Sequence, residues 1–557
     1  MDRDAKFNCG VAIDRCLVIA SEDDGCFSES RWTELVPRGN RLCLDNSVEF
    51  LMRRFWVFPL FMLVCCLVGG VAGADNVKPN IVVILADDLG YGDVQCLNPD
   101  RGKIATPEMD ALAAEGMIFS DAHSASSVCT PTRYALLTGR YNWRTRLQKS
   151  VLYGFDKPLI ASDRLTVAGF LKQHGYATAA IGKWHLGLDL PTTDGQPFRG
   201  NNPKNVDWKK RIDNGPVDRG FDYFFGISAS LDMPPYVYIE NDRFVGEGTA
   251  TKAFRRKGPA EPDFEAVDVL PMIGKKTVEY IGSQSESQPF FAYVALNSPH
   301  TPILPSKEWQ GRSELGKYGD FVMQTDAVIG DIADAIDAAG FGENTLLIVT
   351  SDNGCSKAAG IGAMVEKGHY PSGHLRGSKA DLWDGGHRVP FLVRWPAEVA
   401  AGTRSDEVVC QTDLMATCAD VLGVDVPDGA GEDSVSFKPA LHGEPIESTR
   451  AGVIHHSIGG YFAYRQGKWK LLLSKASGGW SSPNERQMPA GSPPAQLYDM
   501  EADPGETNNL YAAHPEVVEQ LLGLLEADVN RGRSTEGAPV QNDVDNIQIW
   551  KGKRPNG

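Results

Sequence analysis

The sequence predicts an α/β protein: a large mixed, mostly parallel sheet flanked by helices, followed by a smaller α+β domain carrying an antiparallel sheet. Three observations carry this. Residues 80–86, 289–296 and 344–350 are continuous apolar runs of strand length, the pattern of strands buried on both faces of a parallel sheet. Amphipathic helical patterns alternate with them, as crossover connections require. Beyond residue 433 the pattern changes to a hairpin, 461–473, with Arg465-Gln466-Gly467-Lys468 as its turn, a strand over 496–499 and a helix over 515–530.

A chain of 557 residues is too long for one compact core. The composition shift sets a large domain over 75–425 and a small one over 434–557, joined by the Gly/Asp-rich stretch 426–433. A net charge of −17 leaves no broad basic field for phosphates, so nucleic acid is excluded as a partner. An anionic ligand would need a site that is locally positive against that global charge.

Residues 1–51 mix charges with Cys9, Cys16, Cys26 and Cys43 and show no period; they read as an extension, with Met52 as the natural start. Met52-Arg53-Arg54, an apolar run over 55–71 and Ala72-Gly73-Ala74 then form a signal peptide, 52–74, cut before Asp75. The run is marginal for a span and broken by Pro59, Gly69 and Gly70, so no stable membrane anchor is expected and the mature chain is secreted or periplasmic. Of the five cysteines after Asp75, four besides Cys129 allow up to two disulfides, and Cys410 and Cys418 are close enough to pair locally.

In chain order, the strand 80–86 delivers Asp87 and Asp88. Ligands gather at the carboxyl ends of strands in open α/β sheets, and adjacent carboxylates repel unless a cation lies between them. They are hard-metal ligand candidates, with a solvated turn as the alternative. A helix opens at Thr106-Pro107-Glu108, with Met109 and Leu112 on its apolar face. His123 precedes the next helix and is read as structural. That helix starts at Cys129, carries Pro131 in its first turn and stops at Gly139. Its N-terminal field is expected to favour anions and lower the Cys129 thiol pKa, with Arg133 one turn up the same face.

A helix over 165–174 leads to the segment Gly182-Lys183-Trp184-His185-Leu186-Gly187, where strand alternation would put Lys183 and His185 on one face and Trp184 on the other. Residues 188–219 read as a long surface loop that shapes a pocket. A strand from Gly220 is followed by Ser230. The strand 289–296 ends in a Pro-stiffened turn bearing His300, placed as a general acid. A helix over 326–339 leads to the strand 344–350, which ends in Ser351-Asp352-Asn353. Asp87, Asp88, Asp352 and Asn353 offer three carboxylates and an amide oxygen without a His/Cys cluster, favouring Ca²⁺ or Mg²⁺ over zinc or copper. Next come His374, which could face a substrate pocket, Lys379, and Asp384-Gly385-Gly386-His387-Arg388, with His387 read as structural. A helix over 413–423 closes the large domain.

Cys129-Thr130-Pro131-Thr132-Arg133, followed by Leu137-Thr138-Gly139-Arg140, resembles the signature of the type I sulfatases of the alkaline-phosphatase-like superfamily. The resemblance runs in order from about residue 80 to the C-terminus and includes Gly182–Gly187, Leu375-Arg376-Gly377-Ser378-Lys379 and the Gly385-Gly386-His387-Arg388-Val389-Pro390 strand approach. Thr132 stands where the family commonly has Ser or Ala, and Asp384 where it has Glu.

The resemblance implies an alkaline-phosphatase-like fold, one Ca²⁺ held by Asp87, Asp88, residue 129, Asp352 and Asn353, and oxidation of Cys129 to Cα-formylglycine by a formylglycine-generating enzyme. Its hydrated aldehyde would attack sulfur. Arg133, Lys183 and Lys379 would neutralise sulfate charge, His300 with Lys379 would protonate the leaving alcohol, and His185 would serve the diol. Lys183, Ser230, His300, His374 and Lys379 would contact substrate, a sulfated carbohydrate such as a 6-sulfated galactose or N-acetylgalactosamine unit. Two alternatives are a phosphomonoester or phosphonate hydrolase of the same superfamily, and a non-catalytic glycan-binding relative in which Cys129 stays a thiol.

Overall fold

A computed structural model describes residues 78–200 and 202–551; the extension 1–51 and the signal segment 52–74 lie outside the described residues. Ten strands form the main sheet: β1 (Asn80–Asp87), β2 (Met117–Phe119), β3 (Ala177–Lys183), β4 (Tyr223–Ile227), β5 (Tyr238–Glu240), β6 (Arg243–Val245), β7 (Phe290–Pro299), β8 (Thr345–Ser351), β9 (Phe391–Arg394) and β10 (Thr403–Ser405). Their order is β10-β2-β9-β8-β1-β7-β3-β4-β5-β6. The central strands β8, β1, β7, β3 and β4 run parallel, and antiparallel pairings flank them on both sides. The expected strands 80–86, 289–296 and 344–350 are thus adjacent at the centre, where only apolar side chains suit both faces.

Alternation along β1 feeds two cores. Ile81, Val83 and Leu85 pack with helices α2 (Cys129–Thr138), α3 (Val167–Gln173) and α6 (Leu414–Leu422). Val82, Ile84 and Ala86 pack with α1 (Pro107–Glu115), α4 (Val269–Gly282) and α5 (Lys317–Ala338). Helix α5 starts nine residues before the expected 326. Its first turns hold Asp320, Gln324 and Thr325 as buried polar residues, which blurs the apolar period there.

The C-terminal part is an antiparallel sheet of β11 (Val453–His456), β12 (Phe462–Gln466), β13 (Trp469–Leu472) and β14 (Gln496–Asp499), covered by α7 (Pro515–Asn530). Its core takes in Ala135, Tyr141 and Trp143, so α2 is covered on both sides and all of its residues are buried. The segment 426–433, expected as a joint, ends in buried Glu432 and Asp433. The Asp433 carboxylate accepts from Arg144 at 2.7 and 2.8 Å and from the Tyr141 amide at 2.9 Å. The disulfides the spacing allowed are absent: Cys96, Cys129, Cys355, Cys410 and Cys418 are all free.

Candidate active site

The carboxyl ends of four adjacent central strands meet the N-terminus of α2. β1 ends in Asp87, with Asp88 beyond it at φ 69, and β8 runs into Asp352 and Asn353. β3 ends in Lys183 and β7 is followed by His300. Val128 caps α2 from extended backbone, Cys129 is the helix's first residue, and Gly139 stops it at φ 62. Behind the cysteine, the Thr132 hydroxyl donates to the Ser126 carbonyl at 2.8 Å, so the threonine serves the turn before Cys129. Lys379 comes from a loop fastened by its own amide to the Cys355 carbonyl and by the Ala380 amide to the Ser127 carbonyl.

These side chains are buried and mutually paired. Cys129 Sγ lies 3.2 Å from Lys379 Nζ and 3.7 Å from Asp87 Oδ1. Lys183 Nζ donates to Asp87 Oδ2 at 2.6 Å, and Lys379 Nζ donates to Asp88 Oδ1. Arg133 donates to Asp352 Oδ2 through Nε and Nη2 at 3.1 and 2.7 Å, and to the Lys183 carbonyl at 3.1 Å. Burial alone would raise the Asp87 pKa, but the charges of Lys183, His300, Arg133 and Lys379 hold it well below the usual carboxylate range.

Two expectations are corrected here. The helix start does not make Cys129 a thiolate: burial, reinforced by Asp352 and Asp87, pushes the thiol up to about 12, against the opposing pull of Lys183 and Lys379. Nor does strand alternation pair Lys183 with His185. The strand ends at Lys183, and His185 adopts a left-handed φ of 55. His185 still stays beside the site, its Nε2 bonded to the Leu152 carbonyl at 2.8 Å. Burial, with Lys183 and Arg133 nearby, drives its pKa well below the ordinary value, so the ring is neutral. Trp184 packs away from the site against Phe221 and Phe224.

Several buried polar atoms at this end of the sheet have no hydrogen-bond partner: Asp88 Oδ2, Asn353 Oδ1, His185 Nδ1, Ser228 Oγ and Ser230 Oγ. An unpaired buried acceptor is costly, roughly 1–3 kcal/mol. Asp88 Oδ2 and Asn353 Oδ1, near the Asp87 and Asp352 carboxylates, offer the oxygen donors that a hard divalent cation takes, and Asp87 and Asp88 also converge with Cys129 and His300. The residues fit such an ion. His300 Nε2 faces the same place, 3.7 Å from Asp88 Oδ2, while its Nδ1 bonds the Thr301 carbonyl at 2.7 Å.

His374 is not brought into this cluster; it is exposed and meets Tyr91 edge-on at 6.4 Å. His123 and His387 are structural, as read: His123 bonds Asp121 at 2.7 Å and His387 at 3.0 Å. With His455 they make a buried histidine cluster that sequence spacing did not show, distinct from the group of Asp87, Asp88, Cys129 and His300. Asp384 belongs to the same network, held by Lys470 at 2.6 Å.

The supporting residues were missed. Tyr318 donates to Asp93 Oδ2 and the Asp88 carbonyl, Asp93 also takes His369 at 2.8 Å, and Gln411 fixes the Ser351 carbonyl at 2.7 Å. The run Gly90-Tyr91-Gly92-Asp93 after the paired aspartates was the available signal, since a carboxylate there can reach back to the Gly90 amide, as Asp93 does at 2.8 Å.

A sheet with an acidic, oxygen-rich cluster at its carboxyl edge, buried cations beside it and a Cys-x-Pro-x-Arg helix start makes a site suited to an anionic ester. A family model for sulfatases matches residues 79–424, and the chain belongs to that family. It is similar to an N-acetylgalactosamine-6-O-sulfatase of Bacteroides thetaiotaomicron, 32% identical over 82% of this chain and 94% of that one. Human arylsulfatase A is 31% identical over 84% of this chain and 91% of its own length. A sulfatase structure from a study of glycosaminoglycan metabolism in Bacteroides thetaiotaomicron superposes with a TM-score of 0.70 at 32% identity, covering 82% of this chain and all of that one.

Proposed function

We propose that this chain is a secreted or periplasmic, Ca²⁺-dependent sulfatase acting on a sulfated carbohydrate, with residue 129 converted to Cα-formylglycine by a formylglycine-generating enzyme. The observation that carries the reading is the position of Cys129 Sγ, between Lys379 Nζ at 3.2 Å and Asp87 Oδ1 at 3.7 Å, beside two acceptor oxygens that lack a donor. The signal-like segment 52–74 supports export, and the similarity to an N-acetylgalactosamine-6-O-sulfatase supports a 6-sulfated N-acetylgalactosamine unit, with 6-sulfated galactose as the related candidate.

When bound, the cation supplies positive charge against the sulfate oxygens, and the formylglycine supplies the attacking hydroxyl. Asp87, Asp88, Asp352 and Asn353 would hold the ion. Arg133, fixed by Asp352, and Lys183, fixed by Asp87, orient those carboxylates and add charge where it builds up on sulfate. Ser230 Oγ has no partner and can donate to a sulfate oxygen. Since a carbonyl only accepts, His300 donates Nδ1–H to Thr301; the atom left to carry a proton to the leaving oxygen is Nε2, with Lys379 beside it. By the same logic His185 donates Nε2–H to Leu152, and its neutral Nδ1 is the acceptor for a hydroxyl proton at residue 129.

Mass spectrometry of the tryptic peptide 104–133, after co-expression with a formylglycine-generating enzyme, tests the reading, followed by rates on aryl sulfate and aryl phosphate. An aldehyde mass at residue 129 with sulfate preferred is expected. A persistent thiol, with the maturing enzyme active on a control, favours the glycan-binding alternative, and preference for phosphate favours the phosphatase one.

A further inference from the structure

Among the described residues, the exposed large apolar side chains include only two aromatic rings, Tyr153 at 43% and Trp480 at 47%. Single exposed apolar groups are ordinary, so exposure alone carries nothing. What sets Tyr153 apart is its anchoring. The Leu152 amide donates to Thr130 Oγ1, next to Cys129, at 3.2 Å, and the Leu152 carbonyl accepts from His185 at 2.8 Å. On its other side, Gly154 lies so near the Pro234 carbonyl that a Cβ would stand 2.0 Å from that oxygen. The backbone on both sides of the exposed ring is therefore held between the helix start at Cys129 and the loop that leaves β4 through Ser230 and Asp232.

That loop, with the hairpin turn at residues 254–256, supplies the polar half. Arg256 has its guanidinium carbon 5.6 Å from the Tyr153 ring centroid and bridges Asp232 Oδ2 at 2.5 Å. The second carboxylate oxygen, Asp232 Oδ1, is buried with no hydrogen-bond partner, as are Ser228 Oγ and Ser230 Oγ upstream. The residue is 7% exposed, and the cation it meets among the described residues, Arg256, engages the other oxygen. An accessible aromatic face, joined through Arg256 to a carboxylate whose second oxygen still lacks a donor, suits a ligand with an apolar C–H face and hydroxyl donors on its rim. A pyranose has both.

We propose that Tyr153, Asp232 and Arg256 form a sugar-ring subsite next to the sulfate pocket: the ring lies on Tyr153, its hydroxyls donate to Asp232 Oδ1, and Arg256 positions the carboxylate. The proposal rests on the sulfatase reading and names how that site recognises the part of its substrate beyond the sulfate. Asp232 and Tyr153 touch substrate; Arg256 acts through Asp232.

The test is calorimetric titration of the full-length protein with Cys129 unconverted, which prevents turnover. The probes are galactose 6-sulfate, N-acetylgalactosamine 6-sulfate and inorganic sulfate. Asp232→Asn is expected to weaken the better-bound sugar sulfate by roughly 10- to 100-fold, as for a hydrogen bond to a charged group. Tyr153→Ala, a surface change that folding tolerates, is expected to weaken it about 5-fold. Inorganic sulfate, which has no ring, should shift by less than about 2-fold in both, within the usual spread for surface substitutions. Arg256→Ala should mimic Asp232→Asn, and Arg256→Lys should recover part of the loss. Absence of sugar-sulfate binding by the wild type, unchanged binding in the variants, or equal weakening of inorganic sulfate would each overturn the subsite. Hydrolysis of 4-nitrophenyl sulfate by the matured wild type reports separately on the sulfatase reading, so the two failures are distinguishable.

Discussion

Lys379 is the cation that reaches the cysteine: its ammonium meets both Cys129 Sγ and Asp88. Burial would lower its pKa, but Asp88, Cys129, Asp87 and Asp352 hold it well above the ordinary value, so it stays charged throughout the working pH range. Lys379→Ala should lower kcat by roughly 10²–10³-fold, the scale of removing one preorganised charge donor, while circular dichroism keeps the native sheet signal. Unchanged turnover would remove Lys379 from the mechanism. The orphaned oxygens of Asp88 and Asn353 make a second claim at this scale. Adding Ca²⁺ to chelator-treated protein should raise Tm, by linkage about 2.7 kcal/mol at a concentration 100 times Kd. Asp88→Ala should abolish the shift; a shift that survives would place the ion elsewhere. Asp88 and Asn353 were legible because they follow strand ends, and Lys379 because the segment 375–379 resembles a family motif. The state of Cys129 was not, since desolvation outweighs the helix-terminus field that the sequence shows.

Strand β3 shows why an element, and not a residue, positions Lys183. Gly182 lies at φ 117, and a Cβ there would stand 1.9 Å from the Ala295 carbonyl of β7. No flexible side chain can yield, because the obstacle is backbone. Gly182→Ala should therefore cost ~3 kcal/mol or more and displace Lys183 from Asp87, visible as a lower Tm together with lost turnover. Gly175→Ala, at φ 90 in open space, should cost only the left-handed strain, about 1–2 kcal/mol, with turnover retained. Equal penalties in the two variants would refute the close-approach argument. Element legibility followed the same physics. Buried parallel strands announce themselves as apolar runs, and Gly139 and Gly423 mark helix ends by left-handed stops at φ 62 and 64. The start of α5 and the bend at His185 were hidden, one by buried polar residues and the other by a backbone turn that a periodic pattern cannot encode.

At the scale of the whole molecule, the small sheet meets the segments around His123 and His387 across a seam of histidines. His387 stacks on His455 with ring centroids 3.9 Å apart, and His123 packs 4.7 Å from His455. Burial, together with Lys470 and the neighbouring rings, puts the pKa values of His387 and His455 well below the ordinary 6.5, and burial pushes His456 down to about 3. Below pH 6.5 the unfolded chain binds protons that these native rings refuse. Their contribution to stability is therefore present above pH 6.5 and lost as pH falls. Each fully depressed histidine adds about 1.4 kcal/mol per pH unit. His455→Phe, which keeps the stacking, should reduce the loss between pH 6.5 and 5 by ~2 kcal/mol, read from denaturant unfolding at each pH. An unchanged slope would show that His455 titrates normally. The sequence by itself determined the fold class, the three central strands, and which residue types stand at the strand ends and at the helix start, because periodicity and turn chemistry are local; helix α4 and strands β5 and β6 were not read from it. Only the tertiary structure decided that Cys129 is a neutral thiol, that Asp88 meets Lys379 across 291 positions, that Tyr153, Asp232 and Arg256 converge, and that three histidines share one seam. Desolvation and Coulomb energies depend on distances in space, and those exist only once the chain has folded.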